Sequence, residues 1–336
     1  MFIANDFPAF KSLFANQLKA MLADDHLGAF ILVLANSLQD QNLKNELVAD
    51  LKSNFEVLKQ AYLTGTLKAP ADDMDVFKQL LDIDIDGFPE WQIRKSGCWE
   101  VAFNTMRQLR PARASKEILR SIIQPFDASR FHFNKPFLKP EILWQGEHQG
   151  RALRVLYNKF PFAPYHLLIA IAPEKEMPQV QDRVQHEYIF SLAAEASRTF
   201  PGFAIGYNSL AAGASVNHLH FQGFVREQPF AIEESGWKHN GGTVDYPLHV
   251  RRFSDPLVSW EYIGQLTAQD TAFNCLYRNG DCYVVPRKYQ GTVALPDWLD
   301  GAGWLDVAGG ITVSDRKTFD ALEEQSIAQA LRMLEK

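Results

Sequence analysis

His218, His220 and Gln222 stand at every second position of the stretch GASVNHLHFQGF, residues 213–224, with Leu219 and Phe221 between them. Successive side chains of a strand point to opposite faces, so this spacing predicts three polar, nitrogen-bearing groups on one face and apolar groups on the other. Imidazoles buried side by side are costly unless each finds a partner. Three readings compete. The first is a polar sheet face lying under a loop. The second is a metal site, but two histidines need a third ligand, glutamine is a poor one for zinc, and no cysteine cluster is at hand. The third is nucleophilic attack on phosphorus. A neutral imidazole is a good nucleophile near neutral pH, and the phosphorylated ring can be opened by a second acceptor. The phosphoryl oxygens must then be held and neutralised. Gly213-Ala214-Ser215 suits that task, because small residues let backbone N–H groups approach a phosphate and Ser215 offers a hydroxyl donor. The third reading is favoured.

Around this stretch the chain divides by texture. Residues 8–63 carry apolar residues at three- and four-residue spacing with charges between, which predicts helices. Residues 64–75 read as a connection, and VFKQLLDI after them as a short helix. From about residue 86, Gly, Pro, aromatic and β-branched residues rise. ILWQGEHQGRALRVLYN reads as a hairpin, HLLIAIAP as a buried strand, residues 180–200 as a helix, and GFAIGYNS and NHLHFQGFV as two more strands. Strand, strand, helix, strand, strand predicts an antiparallel sheet with a helix packed on it, an α+β fold. FNCLYRNGDCYVVPRK, 273–288, repeats the rhythm of residues 154–170 and is expected to be a degenerate second copy. Residues 315–336 read as one amphipathic closing helix. The expected division is a helical segment over 1–85 and a catalytic domain over 86–336.

Composition narrows the partners. The chain has 336 residues with 34 basic and 40 acidic side chains, a formal net charge of −6. That argues against nucleic acid as the main partner, since such binders carry a basic surplus. Three cysteines, Cys98, Cys275 and Cys282, are widely spaced, which points to a reduced, cytoplasmic protein with no structural zinc. No secretory leader is read in MFIANDFPAFKSLF, and the most apolar helical stretch, Ala29–Ala35, is too short to span a bilayer. No cofactor and no metal are expected. A homodimer is compatible with the sequence, which does not fix the oligomeric state.

GASVNHLHFQ resembles the active-site strand of the histidine triad superfamily in its transferase branch, where glutamine replaces the third histidine of the hydrolase branches. Within that branch the chain most resembles the GDP-hexose phosphorylases. FNTMRQLRPARAS (103–115), IIQPFDASRFHFNK (122–135), NKFPFAPYHLLIAI (158–171), NCLYRNGDCYVVPRKY (274–289) and GWLDVAGGITVSDRKTFD (303–320), the last two read as C-terminal strands, extend the likeness over roughly residues 86–336. The Arg-Pro segment is two residues shorter than the family pattern.

The resemblance implies a histidine-triad-like antiparallel sheet in two halves, only the first with intact catalytic residues. It implies a nucleotidyltransferase of the phosphorylase type acting on a GDP-hexose and inorganic phosphate. His220 would be the nucleophile, His218 would orient it partly through its backbone, and Gln222 would hydrogen-bond a phosphoryl oxygen. Ser215, Gly213 and Asn208 would bind phosphate, although Ser215 and Asn208 are equally residues of tight turns. Further candidates are Lys135 for the nucleotide, His166 facing the phosphates, and Arg107 and Arg110 as guanidinium forks. Arg287-Lys288 reads as a solvated strand end. Two alternatives stay open: a dinucleoside polyphosphate phosphorylase, and a nucleotide-binding protein of this fold that has lost turnover.

Overall fold

The computed structural model describes residues 2–24, 26–83, 88–109 and 119–336. Arg110 and the Arg-Pro pair it opens lie outside these residues, as does the expected boundary near 85.

Three helices open the chain: α1 (Phe7–Met21), α2 (Leu27–Ser37) and α3 (Gln41–Leu63). Their ends follow local chemistry. The Asp6 carboxylate accepts the Ala9 N–H ahead of α1, and Asp40 accepts those of Asn42 and Leu43 ahead of α3, satisfying amides that a helix start leaves open. α4 covers Ala71–Leu81, so it begins five residues before the expected VFKQLLDI. Its APADD opening reads as a connection, yet Asp72 and Asp73 fall in the first turn, where the positive end of the helix dipole favours them.

Eight strands form one antiparallel sheet: β3 (Ile142–His148), β4 (Arg151–Tyr157), β5 (Leu167–Ile171), β6 (Phe203–Asn208), β7 (His220–Val225), β8 (Arg251–Phe253), β9 (Phe273–Arg278) and β10 (Asp281–Pro286), in the order β3-β4-β5-β7-β6-β9-β10-β8. The expected hairpin, buried strand and paired strands are all present. The 142–225 half carries α5 (Arg183–Thr199), and the second half, over 251–286, carries α6 (Pro256–Ala268). They join where β6 pairs with β9. A second sheet holds β1 (Gln92–Ser96), β2 (Trp99–Phe103) and β11 (Gly310–Val313); β11 runs parallel to β2, with Ile311 opposite Val101.

The large sheet has a core on each face. Phe221, Tyr207, Ile205 and Tyr277 pack toward the helices, with Ile189 of α5, Ile263 of α6 and Phe10 and Phe14 of α1 in the same cluster. Phe224, Ala204, Leu276, Tyr283 and Val285 pack on the other face against Trp304 and the small sheet.

Two expectations near the C-terminus are corrected. Trp304–Ala308 is a short helix, α7, and only Gly310–Val313 of that segment is strand. The closing helix is two, α8 (Arg316–Ala321) and α9 (Glu324–Met333). The break is held from outside: the Arg94 guanidinium donates to the carbonyls of Phe319 and Leu322 at 2.7 and 2.6 Å, which otherwise would accept from the next turn. No helix among the described residues is long and apolar enough to cross a membrane.

Candidate active site

β7 starts at His220, so His218 lies before the strand and not on its face. Its partner β5 has ended at Ile171, and Ala172 turns away with φ +42°. The residues ahead of His220 bond to the departing loop instead: Leu219 N–H donates to the Met177 carbonyl. Gln179 closes this corner. Its side-chain oxygen accepts the His220 N–H, and its amide donates to the carbonyls of His220 and Asn208. One buried carboxamide thus ties the start of β7 to the end of β6.

His220 Nδ1 lies 2.8 Å from the His218 carbonyl. A carbonyl only accepts, so Nδ1 carries the proton and Nε2 keeps its lone pair. His220 lines a cavity of about 290 Å³ together with Gln222, Asn208, Gly213, Ser215 and Arg107. Burial pushes its imidazolium down to about 4, so the ring is neutral, and nucleophilic, across the physiological range. The His218 ring is turned away from the cavity. Its Nδ1 accepts the Phe133 N–H at 3.1 Å, its Nε2 donates to the Pro173 carbonyl at 3.0 Å, and it stacks on Phe133. What His218 presents to His220 is its backbone oxygen.

Three of the sequence candidates are brought to the cavity by backbone geometry. Gly213 has φ +98°, and a Cβ there would stand 2.8 Å from the Ala302 carbonyl oxygen, so only glycine fits. Ser215 is exposed in the cavity wall. Asn208 ends β6, and its Oδ1 accepts the Trp304 N–H at 2.8 Å and an Asn274 amide hydrogen at 2.7 Å. Arg107 donates to the Phe160 carbonyl and lies over the Phe162 ring.

Two candidates are elsewhere. Lys135 is not in the cavity wall; its ammonium donates to the Ala128 carbonyl at 3.1 Å. His166 is fully buried behind Gln222, so it faces the glutamine and not a phosphate. Arg287 overturns the solvated reading. It is 1% exposed and donates to the Ala302 carbonyl, holding the 300–303 loop that walls the cavity.

Four further residues, which no local sequence pattern marks, belong to the site. Lys159 lines the cavity and pairs with Asp73 at 2.6 Å. Glu141 lines it with a carboxyl that burial pushes up to about 7. Asp306, also in the wall, is raised by burial and accepts the Gly303 N–H. The Trp304 indole donates to Gln222 Oε1 at 2.8 Å. All four stand in quoted motifs or beside them, but nothing local marks them as facing the same space. Phe137, Glu141 and Lys159 also wall a second, more apolar cavity of about 760 Å³ against α1 and α2. Among the described residues, no group of three or more His, Cys, Asp or Glu is placed to hold a metal ion.

An antiparallel sheet whose central strand opens on His220 and Gln222 over a cavity of about 290 Å³ is a histidine-triad-like arrangement. Comparison with known proteins is specific about the relatives. Residues 98–224 match the family described as GDPGP1-like, N-terminal domain. The chain is 38% identical over 125 residues to GDP-D-glucose phosphorylase 1 of Danio rerio, covering 37% of this chain and 35% of that protein. It is 31% identical over 247 residues to GDP-L-galactose phosphorylase 1 of Arabidopsis thaliana, covering 61% and 55%. The chain thus spans between about a third and just over half the length of these relatives. In fold it is similar to yeast Ap4A phosphorylase Apa2, with TM-score 0.53 and 15% identity over 80% of this chain and 97% of that one. The GDP-hexose phosphorylases are therefore its relatives in sequence, and the α+β, histidine-triad-like architecture expected from the motif is the fold it has.

Proposed function

We propose that this chain is a nucleotidyltransferase of the phosphorylase type that converts a GDP-hexose and inorganic phosphate to GDP and hexose 1-phosphate. The observation that carries the reading is the state of His220: Nδ1–H held on the His218 carbonyl, and an Nε2 lone pair at the cavity that no other group among the described residues takes. Nε2 attacks the α-phosphorus, the bond from that phosphorus to the bridging oxygen breaks, and hexose 1-phosphate leaves. A phosphate oxygen then attacks the same phosphorus, the N–P bond breaks, and GDP forms with His220 neutral again. The His218 carbonyl stabilises the cationic ring of the intermediate through Nδ1–H. Gln222, Ser215, the 213–215 backbone, Arg107 and Lys159 supply donors and charge for the phosphoryl oxygens. Phe131 and Phe137, which are 47% and 65% exposed, offer flat apolar faces at the cavity to a base.

The test is a panel of GDP-, UDP- and ADP-hexoses and dinucleoside polyphosphates, each α-labelled. Without phosphate, a GDP-hexose should leave label on His220; adding phosphate should release it as GDP. Label that never appears on protein, or products dominated by nucleoside monophosphate in millimolar phosphate, would sink the reading. Preference for the dinucleoside polyphosphates would replace the hexose substrate.

A further inference from the structure

Among the described residues, Gln222 Oε1 has two hydrogen-bond neighbours. Trp304 Nε1 lies at 2.8 Å and His166 Nε2 at 3.0 Å. An indole N–H only donates, so the amide atom that meets it is the oxygen. The Phe162 N–H points at His166 Nδ1 at 3.4 Å, which needs a lone pair there and puts the ring proton on Nε2. His166 then donates to the same oxygen. Asn158 Nδ2 is 3.3 Å from His166 Nε2, a longer approach that this tautomer leaves as packing. Both lone pairs of Oε1 are taken, and the Gln222 NH₂ group is what remains for the cavity.

The lock is rigid. Trp304 is fully buried and stacks on Phe224 at 4.6 Å with a 16° interplanar angle. It lies so close to Gly206 that a Cβ there would be 2.3 Å from its ring. Its backbone N–H is held by Asn208. His166 is fully buried with its ring 4.3 Å from Phe162.

We propose that Trp304 and His166 are positioning residues that make Gln222 a pure hydrogen-bond donor, and that this sets the partition of nucleotidyl-His220 between phosphate and water; it rests on the intermediate proposed above. The chemistry separates the two acceptors. A phosphate anion forms its O–P bond while the N–P bond breaks, with no proton to lose. Water forming that bond must hand a proton to an acceptor. That proton passes to a phosphoryl oxygen of the GMP formed, since an amide is no base, but the water must first be held in line by a hydrogen-bond acceptor: a locked amide offers none, whereas an amide free to turn over presents Oε1.

Two measurements decide. In protein labelled with ¹⁵N-tryptophan, Trp304→Phe identifies the Trp304 indole signal. Gln222→Ala should shift that signal and speed its exchange with solvent; an unmoved signal overturns the lock, and because Trp304→Phe serves here only to assign the signal, the result does not depend on that variant's kinetics. In millimolar phosphate, Trp304→Phe should raise the ratio of GMP to GDP about fivefold or more, the worth of one lost hydrogen bond, and should change nothing further in a Gln222→Ala background. A ratio unchanged while both rates fall together would make Trp304 merely structural and overturn the proposal. Wild-type protein that takes no label on His220 removes the partition along with the reaction, while the indole signal still decides the lock.

Discussion

His186 on the helix side of the sheet and His220 on the cavity side are both buried, and burial pushes both imidazoliums down to about 4. They differ in their second nitrogen. His186 has a hydroxyl on each side, Tyr277 at 2.9 Å from Nδ1 and Ser259 at 2.8 Å from Nε2. His220 has one nitrogen on a carbonyl and the other, with no hydrogen-bond partner among the described residues, at the cavity. A depressed pKa therefore marks burial in both places and, under the proposed reaction, chemistry in only one. The unspent lone pair, not the shift, separates a packing histidine from a candidate nucleophile. The same contrast runs across the sheet itself. On the face where β7 carries His220 and Gln222, β9 and β10 carry Leu276, Tyr283 and Val285 within the core, so the second half is filled where the first is open.

The strongest way to break the comparison is to exchange the outcomes. His220→Asn should lower turnover by several powers of ten, about 6–8 kcal/mol of barrier, with nucleotide binding retained by equilibrium dialysis. If a tenth of the activity survives, His220 is not the nucleophile.

Next in size is the pH dependence of stability. Both rings are neutral when folded down to about pH 4, while in the unfolded chain each binds a proton near 6.5. The unfolded state thus holds more protons between those values, and stability falls as pH drops from about 6.5 toward 4, by at most a few kcal/mol for each ring. Denaturant titrations across that window should show the slope, and His186→Phe and His220→Asn should each remove part of it. A slope unaltered in both variants would discard the burial account. The acid limb of kcat/KM for a GDP-hexose should likewise sit well below 6.5.

His186→Phe should cost about 1–3 kcal/mol by removing two buried hydrogen bonds, while the Tyr277 and Ser259 hydroxyls keep Gln181 and Asp255 as partners; this is read by denaturant midpoint, with turnover per folded molecule within about twofold. A collapse of kcat without loss of stability would show that the helix side takes part in the chemistry. The smallest effect is expected from Lys135→Ala. Its ammonium is spent on the Ala128 carbonyl away from the cavity, so KM and kcat should both stay within about twofold. A tenfold rise in KM would put Lys135 back among the nucleotide ligands.

What could be read from the sequence was local. Alternation in NHLHFQGF located the strand and the face shared by His220 and Gln222, and the small residues ahead of it located Gly213 and Ser215 in the cavity wall. It overextended the strand to His218 because alternation does not reveal that β5 turns away at Ala172. It placed His166 at the phosphates and Arg287 in solvent because burial is decided by distant packing. The Ala302 carbonyl that holds Arg287 comes from a loop that folds back from another element. Trp304, Asp306, Glu141 and Lys159 converge on the site only in three dimensions, and no spacing along the chain encodes that. The helix expected at VFKQLLDI is present, but its start at Ala71 reads as a connection because a proline followed by aspartates serves turns and first helical turns equally.

The distance between Gln222 and Trp304, 82 residues, also has a meaning in time. A ribosome adding about 5–20 residues per second delivers the nucleophile strand roughly 4 to 16 s before the indole that locks its glutamine. β2 waits longer still for its parallel neighbour β11, since Val101 pairs with Ile311. During synthesis the chain therefore passes through a stage that carries His220 but an untethered Gln222. Trp298, Asp300, Gly303 and Asp306 of the cavity wall arrive with the same late segment as the indole, so the site is complete only once the C-terminal segment has folded against the sheet.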